Sequence, residues 1–449
     1  MANTDCIKKI YLVGGAVRDT LLGAPIKDKD YVAVGFSEAD FAHLPKVGKK
    51  FPVFLQNDGS QLALARTEVK TAHGYNGFSV NVHQVSLYED LKRRDLTINA
   101  IALEEETQTY YDPFDGIKDL KNKILRHISE AFCEDPLRVL RVARFRARLG
   151  IEWKIHASTK VLIYKMRDEL LFLDKNRVYR EVEMVFLGNN SYVFFNTLFE
   201  LGVLDVIFPK IYALTTLKEG NLHHLESSVF AHTMEVLRIA ELQLKALHQI
   251  PDNIESCDTQ LELQIITKLA HKQFTLSQIA YLKKNLKWGL ILKFAALYHD
   301  IAKPYCYRTF GNSQEHDHLH FVLPCLEIAM PNYIKKPMLT LIQNHIKIYK
   351  LQEMRPIKCI TFFDSFKRDK YLFLLQLALL NADSKGRISS TPHTLELESL
   401  NVVFDTFNAL KAYSPTQTNH KSIKEIILEE KAQIIKTHLN PHDSYGIPQ

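Results

Sequence analysis

The chain has 449 residues, of which 46% are hydrophobic and 24% are charged, and this composition excludes a disordered or fibrous protein. Its length predicts roughly three domains. Lysine and arginine number 57 against 51 aspartates and glutamates, and the resulting net charge of +6 permits a polyanionic partner without requiring one.

Cysteine spacing and hydropathy indicate in which cellular compartment the protein is expected. The six cysteines are scattered, without the paired short spacing that builds a zinc cage or a disulfide framework. The N-terminal segment MANTDCIKKI has no apolar signal core, and the most apolar stretch, residues 371–380, is shorter than a membrane span. We therefore predict a cytoplasmic protein with no membrane role.

The first motif with chemical meaning is LVGGAVRD, residues 12–19. Residues 10–13 are predicted to form a strand and residues 17–22 the helix that follows, with two glycines allowing close backbone approach between them. Asp28 and Asp30 come next. Side chains at i and i+2 of an extended strand leave the same face, so both carboxylates could hold one hard cation such as Mg²⁺.

The rest of the first 125 residues predicts mixed strand and helix. Residues 51–56 and 61–67 flank the turn sequence NDGS, which is a strong hairpin signal. Beyond residue 128 helical periodicity takes over and continues to about residue 412. The predicted fold is therefore an α+β region followed by a helical body, with residues 250–275 as a variable excursion.

Two further segments concentrate polar side chains that could bind a nucleotide. The segment LKRRDLTINA, residues 91–100, sets arginine, aspartate and asparagine between apolar positions. In EDPLRVLRVARFRAR, residues 134–148, the polar residues Asp135, Arg138, Arg141 and Arg144 recur at every third position, which makes a slowly winding strip on a helix.

The members of this strip have different chemistry. Asp135 offers only acceptors and Arg138 only donors in a rigid fork, so together they could recognise a base edge. Arg141 and Arg144 are better suited to phosphate or ribose. Arg146 and Arg148 are predicted to be ordinary surface residues in salt bridges.

These segments resemble, in order, the motifs of class II CCA-adding enzymes, the tRNA nucleotidyltransferases. In that family the two motif aspartates bind the catalytic metals, and they match Asp28 and Asp30. The resemblance assigns a protein template for CTP and ATP to Asp135 and Arg138. It assigns nucleotide contacts to Gly15, Arg18, Arg94, Arg141 and Arg144. One segment departs from the family, since its usual ERVxxE reads NRVYRE at residues 176–181.

The resemblance implies a polymerase-β-like nucleotidyltransferase head followed by an all-helical neck and body. It implies addition of C, C and A to the tRNA 3′ end from CTP and ATP, with Mg²⁺ as cofactor and no nucleic-acid template. The residues by themselves indicate only magnesium-dependent nucleotide transfer, and the tRNA comes from the resemblance.

A second group of possible metal ligands lies in the C-terminal half. Imidazole and carboxylate side chains of this kind suit one or two divalent metals that activate water for phosphoester hydrolysis. We predict four metal ligands and two secondary candidates. Both secondary candidates are histidines, and one of these lies in the segment EHDHLHF, residues 315–321. The four are His232, His299, Asp300 and Asp383, and the secondary candidates are His318 and His345.

The order of these ligands resembles the HD phosphohydrolase superfamily, whose usual HDLGK reads HDIAK at residues 299–303. Its position after a CCA-adding core resembles the multifunctional bacterial CCA proteins. That resemblance implies phosphatase, 2′-nucleotidase and 2′,3′-cyclic phosphodiesterase activities with a divalent metal such as Ni²⁺, Mn²⁺ or Mg²⁺.

The predicted division of the chain has four parts. Residues 1–127 form the head, 128–222 the helical neck and body for nucleotide selection and tRNA binding, 223–412 the HD-type domain, and 413–449 a tail. The chain is expected as a monomer or homodimer. The alternatives are a poly(A) polymerase, an RNA-binding protein with degenerate metal sites, and a phosphohydrolase with an inactive head.

Overall fold

The structure is a computed structural model that describes residues 8–48, 52–70, 78–81, 85–218, 228–249, 264–387, 396–414 and 423–439. The chain divides into two compact units. The first comprises residues 1–181 and 197–207, and the second comprises residues 182–196 and 208–449. Within the described ranges no helix has both the length and the apolar character needed to cross a membrane.

A seven-stranded sheet is the centre of the first unit. Its strand order is β3-β4-β5-β2-β1-β8-β9, and every neighbouring pair is antiparallel except β2 and β5. Two smaller pairs, β6 with β7 and β10 with β11, lie outside this sheet. The strands are β1 Lys9–Val13, β2 Asp30–Val34, β3 Lys46–Val47, β4 Val53–Leu55, β5 Gln61–Leu64, β6 Thr67–Lys70, β7 Phe78–Asn81, β8 Ala102–Glu104, β9 Thr109–Tyr111, β10 Ile124–Leu125 and β11 Lys154–Ile155.

Side-chain alternation along β2 gives the sheet two apolar faces. Val32 packs in a cluster with Val13 of β1 and Leu91. Its neighbour Ala33 packs on the opposite side with Phe54. The first half of the chain therefore has a mixed sheet, and the predicted hairpin is confirmed by the antiparallel pairing of β4 with β5.

Helices accompany this sheet and dominate the rest of the chain. The helices up to residue 207 are α1 Gly15–Leu21, α2 Leu87–Lys92, α3 Gly116–Lys121, α4 Leu137–Leu149, α5 Ala157–Lys165, α6 Lys175–Leu187, α7 Ser191–Glu200 and α8 Leu204–Ile207. Short 3-10 helices occur at Glu38–Phe41, Thr97–Asn99, Glu130–Glu134 and Arg167–Phe172. Both α6 and α7 contribute residues to both units.

The second unit is helical throughout its described residues. Its helices are α9 Pro209–Ala213, α10 Val229–Gln249, α11 Gln264–Gln273, α12 Leu276–Lys284, α13 Lys287–Tyr298, α14 Lys303–Phe310, α15 Leu319–Val322, α16 Asn332–Asn344, α17 Pro356–Asp364, α18 Lys370–Gly386, α19 Leu397–Ala412 and α20 Ile423–Leu439, with 3-10 turns at Leu323–Cys325 and Lys347–Glu353. The predicted fold class, an α+β head followed by a helical body, is confirmed.

Helices α10, α13 and α18 pack against one another in the core of this unit. Helix α13 is almost continuously apolar, because a helix covered on most sides needs little polar surface, whereas α10 and α18 also carry polar side chains. Within α18, Phe373 lies at the centre of an aromatic cluster and stacks on Phe407 at a ring separation of 4.3 Å. The other rings around Phe373 are Phe362, Phe363, Phe366 and Phe404.

The C-terminal tail contains a helix. α20 packs on α17 and α19, buries Ile435 and Leu439, and pairs Lys431 with Asp364 at 2.9 Å. The four-part division of the chain stays a prediction. Its boundary near residue 222 and the first part of the predicted excursion, residues 250–263, lie outside the described residues.

Replacing Phe373 by alanine should destabilise the second unit by about 3–5 kcal/mol, because the ring is fully buried and its removal leaves a cavity. Urea unfolding followed by circular dichroism measures the loss. Phe310→Ala is the matched control, since that ring is 48% exposed and its loss should cost about 1 kcal/mol. Equal losses in the two variants would contradict this description of the core.

Candidate functional sites

A cavity of about 530 Å³ in the first unit is lined by nine arginines and three aspartates. All seven predicted nucleotide-contacting residues line it, together with Asp30. The charged and polar lining residues are Arg18, Asp30, Arg66, Arg93, Arg94, Asp95, Asn99, Asp135, Arg138, Arg141, Arg144, Arg148 and Arg177, and the glycines are Gly14 and Gly15. Such an excess of guanidinium groups suits a polyphosphate.

Strand pairing explains how Asp30 reaches this cavity. Asp30 begins β2 and lies opposite Val13, which ends β1 immediately before the glycine pair. Partial desolvation raises the pKa of Asp30, the Arg94 guanidinium lowers it, and the Asp28 carboxylate raises it further. Asp28 lies two residues before β2 and is exposed, so the structure brings it near Asp30 but not into the cavity lining.

The backbone conformation at Gly14 and the close approach of the Arg94 side chain both favour glycine at this position. It has φ of +70°, where side chains are disfavoured, and a Cβ atom there would lie 2.9 Å from Arg94 Nη1. Arg94 in turn donates from Nη2 to Asp90 Oδ2 at 3.1 Å. The glycine therefore lets a cavity-lining guanidinium lie directly against the strand-to-helix turn.

Buried polar groups beneath the cavity join three of the sequence motifs. Arg18, only 2% exposed, donates from Nη1 to Asn99 Oδ1 at 2.6 Å and from Nε to Asp19 Oδ1 at 2.9 Å. The Asn99 amide donates to Asp95 Oδ1 at 2.9 Å, and Arg141 Nε donates to Asp95 Oδ2 at 2.7 Å. Helix α1, the segment 91–100 and helix α4 are therefore held in one hydrogen-bonded chain.

The electrostatics of Asp95 follow from these contacts. Burial by itself would raise the pKa of its carboxyl group, but the Arg141 guanidinium and the Asn99 amide hold that pKa well below its usual range. Asp95 therefore stays ionised and keeps Arg141 in place.

The two residues predicted to recognise the base have protein partners. Arg138 donates to the carbonyl oxygens of Ala131 at 2.7 Å and Arg93 at 2.8 Å. Asp135 accepts two hydrogen bonds from Arg177, at 2.7 and 3.2 Å. These contacts fix the orientation of both side chains at the cavity wall.

Four residues in or beside this cavity were not singled out from the sequence as site residues, and one of them is Arg66 in the cavity lining. Arg177 and Glu181 belong to the NRVYRE segment, and Glu181 accepts from Arg144 Nε at 2.7 Å. Arg148, which was predicted to be an ordinary surface residue, lines the cavity and donates to Asp19 at 2.7 Å. The charged residues of NRVYRE were the feature of the sequence that could have identified Arg177 and Glu181.

A second cluster of titratable side chains lies in the second unit. All four predicted ligands meet there, each no more than 2% exposed. His232 Nε2 lies 3.1 Å from Asp383 Oδ1 and 3.3 Å from His299 Nε2. His299 Nε2 lies 3.2 Å from Asp300 Oδ2.

Asp300 connects this group to a further pair of histidines. Its Oδ1 lies 3.0 Å from His316 Nε2 and 3.9 Å from His345 Nε2, and those two nitrogens are 3.3 Å apart. His345 is thus in the cluster as predicted, but His318 is not. The His318 side chain is 50% exposed and lies 4.0 Å from Glu315, whereas His316, two residues earlier, occupies the buried position.

Backbone carbonyl groups fix the ring orientation of the four histidines in the cluster. In each ring Nδ1 lies within hydrogen-bonding distance of a backbone carbonyl oxygen, at 3.2 Å for His232, 2.8 Å for His299, 2.5 Å for His316 and 2.6 Å for His345. A carbonyl only accepts, so Nδ1 of each ring carries a proton and Nε2 is the nitrogen that faces the other members of the cluster. Burial also lowers the pKa of His345 to about 3 and keeps it neutral.

Two further side chains hold Asp383. Tyr349 donates from its hydroxyl group to Asp383 Oδ2 at 3.0 Å, and Arg387 donates to the same oxygen at 2.5 Å. The guanidinium of Arg387 also lies over the Tyr349 ring, 5.1 Å from its centre. Asp383 Oδ1 is therefore the oxygen that faces the histidines.

Known proteins resemble this chain over most of its length. Residues 10–126 match the family model described as the poly A polymerase head domain, and residues 153–214 match the model described as the probable RNA and SrmB-binding site of polymerase A. The first unit thus carries a nucleotidyltransferase head of the poly A polymerase type.

Curated relatives define the family more closely. The multifunctional CCA protein of Haemophilus influenzae (strain PittGG) is 38% identical over 397 residues, which span 84% of this chain and 85% of that protein. The multifunctional CCA protein of Shewanella denitrificans is 36% identical over 393 residues, 84% of each chain. The chain belongs to the family of multifunctional CCA proteins.

Solved structures share the fold at lower identity. A CCA-adding enzyme in its apo form II has a TM-score of 0.57 at 16% identity, covering 98% of this chain and 92% of that one. The Thermotoga maritima CCA-adding enzyme complexed with tRNA has a TM-score of 0.51 at 16% identity, covering 98% and 89%. At these identities the likeness concerns the fold alone.

Replacing Asp95 by asparagine should lower the free energy of unfolding at pH 7 by about 2–3 kcal/mol, because it removes the charge of the buried carboxylate that pairs with Arg141. The pKa of Asp95 is depressed in the folded protein, so its stabilisation is present above the unfolded value and is lost as the pH falls through the folded one. The difference from the wild type should therefore shrink below about pH 4.

Urea unfolding at pH 7 and at pH 3.5 measures both effects. Asp168→Asn, an exposed aspartate of the same unit, should change the free energy by no more than about 0.5 kcal/mol at either pH. A difference for Asp95→Asn that grows on acidification would contradict the assigned ion pair.

Proposed function

We propose that the first unit adds C, C and A to the 3′ end of tRNA from CTP and ATP without a nucleic-acid template. The observation that carries this proposal is the arginine-lined cavity, which contains all seven residues expected to contact the nucleotide and Asp30. Membership of the multifunctional CCA proteins supports it. So does the fold shared with CCA-adding enzymes solved with ATP and with CTP.

Asp28 and Asp30 are the proposed ligands of the catalytic Mg²⁺. Their donor set fits a hard cation, because carboxylate oxygens are what Mg²⁺ prefers, and the Asp28 carboxylate contributes to the raised pKa of Asp30, which a cation beside the pair would lower. Mg²⁺ held there would neutralise phosphate charge and favour ionisation of the attacking hydroxyl group. Arg18 and Arg94 then hold the triphosphate from the cavity wall.

Asp135 and Arg138 are the proposed protein template. Because Arg138 is held by two backbone carbonyls and Asp135 by Arg177, neither has to be ordered when a nucleotide enters. A fixed donor fork beside a fixed acceptor can select a base by its edge. Arg141 and Arg144, anchored by Asp95 and Glu181, are proposed to contact phosphate or ribose.

The alternatives have less support. A poly(A) polymerase shares the head, but the curated relatives that span the chain are named for CCA addition. An RNA-binding protein with degenerate sites does not need a carboxylate and seven predicted contact residues gathered at one cavity.

We further propose that the second unit is a metal-dependent phosphohydrolase acting on 2′,3′-cyclic phosphates, 2′-nucleotides and other phosphomonoesters. The observation that favours it is the buried cluster around Asp300, in which the Nε2 atoms of two histidine pairs face each other at 3.3 Å beside the carboxylates of Asp300 and Asp383. A divalent metal bound there would take these nitrogens and the neighbouring carboxylate oxygens as ligands. The donor set of imidazole and carboxylate suits Ni²⁺, Mn²⁺ or Mg²⁺.

The cluster offers two sets of ligand atoms that share the carboxylate of Asp300. His232, His299 and Asp300 offer three ligand atoms within 4.8 Å of one another, and Asp300, His316 and His345 offer a second such set. Asp383 adds an oxygen to the first set. Metal ions bound there would supply an activated water for attack on phosphorus.

The two proposed activities should separate by mutation. Asp28→Ala should reduce incorporation of labelled CTP and ATP into tRNA by more than about a hundredfold. It removes a proposed Mg²⁺ ligand, and this loss should cost more activity than the loss of a residue that only orients a metal ligand. It should leave hydrolysis of a 2′,3′-cyclic phosphate unchanged. Asp168→Ala is the control for loss of an aspartate outside the cavity. Asp300→Ala should give the opposite pattern, and loss of both activities in either variant would contradict two separate sites.

Metal content distinguishes His316 from His318. After reconstitution with Mn²⁺, His316→Ala should hold about one ion fewer per chain, since it loses a ligand of the second set. His318→Ala should keep the wild-type content because its imidazole is exposed. Elemental analysis of the purified protein measures both, and metal loss in His318→Ala alone would refute the assignment.

A further inference from the structure

Two side chains beside Asp383 connect the buried histidine cluster with solvent. The four histidines, Asp300 and Asp383 are each no more than 6% exposed. Tyr349 is 38% exposed and the Arg387 side chain 27%, and both donate to Asp383 Oδ2. Tyr349 belongs to the 3-10 turn Lys347–Glu353, and Arg387 directly follows α18. A substrate that approaches from this side meets these two side chains before it meets the cluster.

Arg387 is held in a defined orientation. Its Nη2 donates to Asp383 Oδ2 at 2.5 Å, and its guanidinium group lies over the Tyr349 ring, 5.1 Å from the ring centre. Burial lowers the pKa of Arg387, but the carboxylates of Asp383 and Asp300 more than offset this, so the group stays charged beside both acids. An arginine fixed in this way loses little further freedom when it binds a ligand.

The contact with Asp383 uses only part of this guanidinium group. Nε is buried without an acceptor, whereas Nη1 keeps access to solvent and has no acceptor among the residues that the structure describes. Asp383 Oδ2 also accepts from the Tyr349 hydroxyl group at 3.0 Å, so this carboxylate has an anchor besides Arg387. The Nη1 donors of Arg387 are therefore available to a ligand.

Each carboxylate of the cluster already has a cation of its own. Asp383 pairs with Arg387, and Lys303 Nζ lies 2.9 Å from Asp300 Oδ2. The charge of divalent ions bound at the cluster would therefore not be cancelled by these two carboxylates. Such a site favours an anion, and a guanidinium group is well suited to the oxygens of phosphate.

We propose that Arg387 donates from its guanidinium group to the phosphate of the substrate hydrolysed by the second unit, with Tyr349 and Asp383 fixing its orientation. This role rests on the proposed phosphohydrolase function. It makes Arg387 a residue that binds the substrate in addition to positioning Asp383.

Hydrolysis of 2′,3′-cyclic AMP by the full-length protein tests this role. Arg387→Met should raise KM about tenfold and weaken competitive inhibition by inorganic phosphate by a similar factor, because a charge-assisted hydrogen bond to phosphate is lost. Tyr349→Phe keeps the guanidinium group and the ring beneath it, so it should leave the phosphate inhibition constant within about twofold. Arg355→Met, at an exposed arginine of the same unit, is the matched control and should change neither constant.

Arg387→Lys guards against a simple loss of folding or of metal. Lysine keeps a positive charge beside Asp383 but lacks the planar fork, so metal content should stay at the wild-type value while phosphate inhibition weakens about threefold. Elemental analysis and circular dichroism measure metal content and folding. Loss of bound metal in both Arg387 variants, with unchanged phosphate inhibition in the molecules that keep it, would make Arg387 a positioning residue only and overturn the proposal.

Phosphorus NMR provides a readout that does not depend on turnover. The Asp28→Ala protein lacks a proposed metal ligand of the first unit, so after reconstitution with Mn²⁺ the broadening of the inorganic phosphate signal reports the second unit. Adding Arg387→Met or Arg387→Lys should reduce this broadening, and adding Arg355→Met should not. Unchanged broadening in both Arg387 variants would overturn the proposal and leave the hydrolase in place. No hydrolysis and no broadening in the parent protein would contradict the hydrolase itself, and this role with it.

Discussion

The buried hydrogen-bonded chain from Arg18 through Asn99 and Asp95 to Arg141 is the constraint on which the first unit depends. Asn99 joins its halves, since its carbonyl oxygen accepts from Arg18 and its amide donates to Asp95. Buried charges are tolerated only when they are paired and hydrogen-bonded, so the three segments that supply these residues must pack together for any of them to be stable. The same pairing orders the guanidinium groups before a substrate arrives, which spares the entropy of fixing long side chains during binding.

A comparable constraint operates in the second unit, where Asp300 is shared by two histidine pairs. Each histidine has its Nδ1 proton directed at a main-chain carbonyl, so the helices set the tautomer and the direction of Nε2. For His232 that carbonyl belongs to Gly386, where a Cβ atom would lie 2.7 Å from Val236 Cγ2. The glycine in α18 thus permits the close approach to α10 that positions His232.

The sequence predicted which residues gather at the arginine-lined cavity better than it predicted how they pair with one another. Local patterns were sufficient for the hairpin around Gly59, for the fold class and for the arginine strip of α4, because these depend on residues close together in the chain. The pairing of Asp135 with Arg177 joins residues 42 positions apart, and no periodicity specifies it. His316 and not the predicted His318 lies in the buried cluster, because spacing alone does not tell which of two nearby histidines faces the core.

Product sequencing on tRNA that lacks its 3′ CCA tests the central claim most directly. With CTP alone the protein should add two cytidines and stop, with ATP alone it should add nothing to the same tRNA, and with both it should complete CCA and stop. Such a pattern is what a cavity that binds the triphosphate and selects the base through the proposed template of Asp135 and Arg138 should produce. Long adenosine tracts made from ATP alone, or no incorporation with both nucleotides, would contradict the account.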